Sequence, residues 1–131
     1  MDGSVDFVSD TIKAALLTNS HTVAVDTDDF WDDVSGEECA DGDYSAQTVS
    51  GKTITLTSNK VRFDCADIDF GNSVTISARY LVLYKDTGTP ATSNLLWIAD
   101  LNTGGGNVSS SSSDFYVQIN ANGIYEVTPN V

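Results

Sequence analysis

Apolar and polar residues alternate with a period of two through most of this chain, and that period predicts strands. In "TIKAALL" (11–17), Ile12, Ala14 and Leu16 fall on one face. "GKTITLT" (51–57) sets Ile54 and Leu56 between threonines, and "KVRFDCA" (60–66) alternates Val61, Phe63 and Cys65 with charged or polar neighbours. Each reads as a strand with one dry face and one wet face. "SVTISARYLVLYKD" (73–86) is longer and more apolar, with Val74, Ile76, Ala78, Tyr80, Val82 and Tyr84 on one side and Leu81 and Leu83 joining from the other. This predicts a central strand covered on both faces, with Tyr80 and Tyr84 turned into the main core. Arg79 then shares the face of Leu81 and Leu83, partly buried as a structural anchor and paired with Asp64 or Asp100. "NLLWIADL" (94–101), "DFYVQIN" (114–120) and "GIYEVT" (123–128) complete seven or eight strands.

The fold class that follows is all-β, an antiparallel β-sandwich of jelly-roll type, with an immunoglobulin-like order as the alternative because periodicity does not specify pairing. "DTGTP" (86–90) and "NANG" (120–123) supply turn residues, and Asn122-Gly123 predicts that the last two strands form a hairpin. With 131 residues the chain reads as one domain, 1–131, with a flexible N-terminal arm 1–9. "NTGGGNVSSSSSD" (102–114) is too polar and glycine-rich to pack a core and predicts a flexible surface loop.

Residues 19–45 escape the strand pattern. Nine of the chain's nineteen acidic residues lie between positions 26 and 43. "DTDDFWDDV" predicts a helical turn, with Asp26, Thr27 or Asp28 as its N-cap and with Phe30 and Trp31 as anchors to the body. Counted from Asp26, Asp28 and Glu37 take positions 3 and 12 of an EF-hand-like calcium loop, but Phe30 and Trp31 stand at positions 5 and 6, where a ligand oxygen and a glycine are needed. Asp41 and Asp43 flank Gly42 in a second acidic candidate. A solvated acidic segment is the expectation, and Asp26, Asp28, Glu37, Asp41 and Asp43 are the calcium candidates kept against it. No other cofactor is expected.

The formal net charge of −13 repels phosphates and anionic lipid, so neither nucleic acid nor a membrane is an expected partner. No apolar run approaches eighteen residues, and the first ten residues have neither the basic start nor the apolar stretch of a signal peptide. The two cysteines, Cys39 and Cys65, form no CxxC pair; free thiols are expected over a disulfide, with Cys65 packed as a small apolar residue and Cys39 kept protonated by its acidic surroundings. His21 is the single histidine, "TNSHTVA" carries no nucleophile-elbow glycines, and a surface position is expected for it. An enzyme is not expected.

The order "SDTIKAALLTNSHT", "DDFWDDVSGEE", "GDYSAQTVSGKTIT" and "RFDCADIDFGNSVTISARYLVLYKDTGTPATSNLLWIADL", followed by a short C-terminal strand pair, resembles small virion structural proteins of tailed bacteriophages, from residue 10 to about 127. "DFGNSVTISARYLVLY" matches that pattern well, whereas its "GTGYTAGG"-like turn is matched only loosely by "ADGDYSAQ" (40–47). The resemblance implies a non-enzymatic virion component. The acidic charge favours the outer surface of the capsid over the interior that faces packaged DNA. A capsid decoration or cement protein bridging major capsid protein subunits follows as the expectation, self-associating as a homotrimer to multiply weak contacts. A tail or fibre component that binds a host receptor or glycan is the alternative.

Overall fold

In the computed structural model, residues 5–24, 26–121 and 123–127 are described. The strands are β1 (Ile12–Leu17), β2 (Gln47–Thr48), β3 (Thr53–Thr57), β4 (Lys60–Asp64), β5 (Ile68–Asp69), β6 (Ser77–Ala78), β7 (Tyr80–Lys85), β8 (Leu95–Asp100), β9 (Val108–Ser109), β10 (Tyr116–Val117) and β11 (Tyr125–Val127). One short helix, α1 (Trp31–Val34), continues into a 3-10 turn at Ser35–Glu37. All strand pairs are antiparallel, so the all-β expectation holds. The pairing spreads over sheets ordered β2-β1-β7-β8, β11-β4-β3, β10-β5 and β6-β9. Among the described residues the hydrogen bonds fall into these four sheets.

The four-stranded sheet is buried on both faces because β1 and β7 are apolar at successive positions. On one face Ile12, Ala14 and Leu16 meet Leu81 and Leu83, and these join Cys39, Val49, Cys65, Ile68, Phe70, Ile76, Ala78 and Phe115 in the larger core. On the other face Ala15 and Leu17 lie beside Tyr80, Val82 and Tyr84 in a smaller core closed by Trp31 and Val34.

The phase of the 73–86 segment therefore differs from the expectation. Tyr80 and Tyr84 face the smaller core, and Ile76 and Ala78 share the larger one with Leu81 and Leu83. Alternation slips at Arg79, where the chain leaves β9 for β1: Ser77 and Ala78 pair with Ser109 and Val108, whereas Tyr80 pairs with Leu17. Arg79 occupies the step, its N–H donating to Leu17 O and its carbonyl accepting from Leu101 N–H. A slip of one residue sends every later side chain to the opposite face.

Two further segments have partners the pattern did not reveal, and one expectation is corrected by the pairing. Residues 102–114 carry β9, Val108 packs against the larger core, Ser110 N–H donates to Ile76 O, and Val74 bridges Ser113. Of the N-terminal arm 1–9, residues 1–4 lie outside the described residues, and the rest is tied down: Phe7 is buried edge-on to Phe63, and Asp6 Oδ1 accepts from Val8 and Ser9 N–H. The last two strands do not form a hairpin, since β10 pairs with β5 and β11 with β4. Asn122 lies outside the described residues; Gly123, at φ +87°, donates its N–H to Asn120 O, and a Cβ there would lie 2.5 Å from Phe63 O.

Candidate functional site

The acidic segment is the one place where charge, aromatic residues and the single histidine come together. Its organising element is α1. Positions i and i+3 of a helical turn share a face, so Trp31 and Val34 both point inward while Asp32 and Asp33 stay outside. Trp31 stacks on Tyr84 with ring centroids 4.5 Å apart and planes 6° from parallel. Trp31 N–H donates to Ser93 O, Leu95 N–H donates to Asp29 O, and Phe30 bridges Asn94, so the segment is laced to the start of β8.

The anchors differ from those expected. Trp31 is buried as expected, but its partner in the core is Val34, while Phe30 is half-buried and stands at the N-cap position. The cap itself comes from inside the turn: Asp33 Oδ2 accepts from the N–H groups of both Asp29 and Phe30 at 2.9 Å. A carboxylate there also lies at the positive end of the turn. Asp26, Thr27 and Asp28, the expected caps, lie upstream; Asp28 Oδ2 instead accepts from Ala24 N–H at 2.9 Å.

Three further carboxylates of the segment accept hydrogen bonds from the chain itself. Glu38 Oε2 accepts from the Tyr44 hydroxyl at 2.6 Å, and that same oxygen of Tyr44 accepts from Leu16 N–H at 3.1 Å on the edge of β1. Burial, reinforced by Glu38, pushes the Tyr44 hydroxyl far above the ordinary tyrosine range. Asp41 Oδ2 accepts from Ser77 N–H at 2.7 Å and Asp43 Oδ2 from Thr75 N–H at 2.9 Å. The "DGD" tripeptide thus bonds two alternate amides, as a neighbouring strand would. Of the calcium candidates, Asp26 is exposed in a turn, Asp28 and Glu37 flank His21, and Asp41 and Asp43 clamp residues 75–77. The structure does not gather them on one point: among the described residues no group of three or more histidines, cysteines and acids is placed to hold a metal ion.

His21, expected at the surface, is buried, at 6% exposure. It packs edge-on against Tyr80, with centroids 5.9 Å apart. Its Nε2 lies 3.2 Å from Asp28 Oδ2 without the alignment of a hydrogen bond, and its Nδ1 lies 3.9 Å from Glu37 Oε2. A turn at Thr18, whose carbonyl accepts from His21 N–H, swings the side chain under the segment. The signal in the sequence was weak, because nothing in "TNSHTVA" records the long-range contact with Tyr80. A shallow cleft of 170 Å³ beside it is lined by Val23, Asp28, Val34, Val82, Leu95 and Trp97. Small-molecule pockets span about 300–1,000 Å³, so this one falls short of them.

Neither cysteine is poised for chemistry. Both are free and buried in the larger core. Burial raises both thiols: Cys39, which donates to Asp41 Oδ2 at 3.2 Å, and Cys65, pushed up to about 11 with help from Asp64 and Asp67. A protonated thiol is a poor nucleophile. Arg79, the third expected anchor, grips Asp100 through Nε to Oδ1 at 3.1 Å and Nη2 to Oδ2 at 3.0 Å, and its Nη1 donates to Asn19 Oδ1 at 2.7 Å. The forked pairing with Asp100, one of the two expected partners, is the geometry in which a guanidinium binds a carboxylate best.

No helix among the described residues is long and apolar enough to cross a membrane. Compared with family models, with curated proteins and with solved structures, the chain matches none.

Proposed function

We propose that this chain is a non-enzymatic structural protein of a phage virion, a capsid decoration protein that sits on the outer shell and bridges major capsid protein subunits. The observation that carries the reading is how the acidic segment is used. Asp33, Glu38, Asp41 and Asp43 accept hydrogen bonds from the chain's own amides and hydroxyl. They build a strap over the central sheet and leave an acidic outer surface on a chain of net charge −13. Such a surface suits the outside of a shell and opposes packaged DNA. The resemblance over residues 10–127 supports the same reading.

The test is the copy number of this chain per particle, by quantitative mass spectrometry of purified virions against the major shell protein. A ratio near one or one-half supports decoration. A few copies per particle overturns decoration and supports a tail or fibre component that binds a host receptor; absence from the particle overturns the virion reading altogether.

A further inference from the structure

Among the described residues, β3 is an open sheet edge. It lies outermost in the order β11-β4-β3, and all five of its residues are exposed, Ile54 at 44% and Leu56 at 76%. Soluble proteins ordinarily protect such an edge with a charge, a proline or a bulge. Thr53–Thr57 contains neither charge nor proline, and it pairs with β4 residue for residue from Thr53↔Asp64 to Thr57↔Lys60.

Charge sets the same region apart. Between Tyr44 and Phe63 there is no acidic residue, while Lys52, Lys60 and Arg62, three of the chain's six basic residues, lie there. Two chains of charge −13 repel over most approaches, and this hairpin is where they meet with the least repulsion.

We propose that β3 is a self-association strand, through which two copies of this chain pair antiparallel about a two-fold axis at Thr55. The inference does not depend on the virion reading. The strand "TITLT" is self-complementary about its centre. Thr55 falls opposite Thr55 of the second copy, Ile54 opposite Leu56, and Thr53 opposite Thr57. The backbone phase agrees. Ser58 and Asn59 both have positive φ, as a two-residue hairpin turn requires. The pair flanking such a turn is hydrogen-bonded and pairs alternate from there, so the N–H and C=O groups of Ile54 and Leu56 face away from β4. In the proposed register those groups meet each other, completing a continuous six-stranded sheet.

Side chains match on both faces. On one, Val61 and Leu56 line up with Ile54 and Phe63 of the second copy, which covers the most exposed large apolar side chain among the described residues. On the other, Lys60 and Thr57 line up with Thr53 and Asp64 of the second copy, so each outer row runs from a cation to a carboxylate across small threonines. The two-fold pairs the β3 edge of one copy with the β3 edge of the other, an isologous contact that closes on itself.

The test is the solution mass of the full chain by sedimentation velocity over a range of concentrations, together with two variants. The wild-type chain is expected to reach twice the monomer mass. Leu56→Lys, a change at an exposed position, is expected to weaken association on the order of tenfold or more by placing a charge on the edge, with an unchanged melting temperature as the check on folding. Thr55→Cys reports the register: directly opposed residues at a non-hydrogen-bonded pair lie about 4.5 Å apart between Cα atoms, within disulfide range. Mild oxidation is expected to give a covalent dimer from Thr55→Cys and not from Thr57→Cys, whose two copies stand about 13 Å apart along the strands. A chain that stays monomeric, a three-chain mass, or a dimer indifferent to Leu56→Lys and to cysteine position overturns the proposal.

Discussion

The Trp31 indole lies flat on the Tyr84 ring, 4.5 Å between centroids, and so joins the acidic segment to the central strand of the four-stranded sheet. The ring of Tyr84 is buried beneath it, and that burial pushes the Tyr84 hydroxyl up to about 12. Segment and sheet are thus coupled through one aromatic pair.

Replacing Trp31 by alanine is expected to cost about 3–5 kcal/mol, the range for deleting a buried large aromatic. Denaturant unfolding measures it, and limited proteolysis is expected to cut faster between residues 26 and 43. Asp26→Asn, at an exposed turn, is expected to change stability by no more than about 0.5 kcal/mol. Equal sensitivity at the two positions would refute the assignment of Trp31 as the anchor.

The clamp on residues 75–77 makes a separate prediction. Asp41→Ala and Asp43→Ala each remove an acceptor from a backbone N–H and are expected to cost roughly 1 kcal/mol. Because the two bonds act on neighbouring amides, the double variant is expected to deviate from additivity. Calcium is expected to leave the melting temperature of the wild-type chain unchanged; a rise would mean that the carboxylates bind the ion.

Acid is expected to destabilise the fold through four carboxyls held below their ordinary value. Asp6 is lowered by Ser9, Asp10 by the Asp6 N–H and Lys85, Asp86 by the Gly88 N–H and Lys13, and Asp100 by Arg79 and the Asn102 N–H. A depressed carboxyl stabilises the fold above its unfolded value of about 3.9 and loses that contribution as pH falls through the folded value. Stability is therefore expected to drop below about pH 4, and Asp100→Asn to flatten part of that slope in melts taken against pH.

Alkali acts through groups shifted the other way. Tyr44, Tyr84 and Cys65 are all raised, burial being the first cause in each, with Tyr84 near 12 and Cys65 near 11. Their contributions are complete below the unfolded values, about 8.5 for cysteine and about 10 for tyrosine, and are lost as pH rises through the folded ones. Ultraviolet titration is expected to show a late tyrosine step, absent from the unfolded chain. A thiol reagent at neutral pH is expected to react with neither cysteine until the chain unfolds.

The strands and the all-β class were legible in the sequence, because period-two alternation is a local property of the chain, but the dry face expected for Ile54 and Leu56 is exposed. Ile12, Ala14 and Leu16 are on one face wherever the strand goes. The anchoring role of Trp31 could be read in the same way, since an indole among carboxylates has few stable places outside a core. Pairing was decided only by the tertiary structure. β10 and β11 stand either side of a turn and yet join different sheets, β10 pairing with β5 and β11 with β4. Arg79 inverts the faces of the long strand by changing its partner strand, which no local pattern records. His21 became a buried residue through Asp28 and Tyr80, and Asp41 and Asp43 became strand mimics through Ser77 and Thr75. Alternation depends on each residue and its immediate neighbours, whereas partners are chosen by contacts between residues dozens of positions apart, 59 between His21 and Tyr80 and 88 between Asn19 and Asn107.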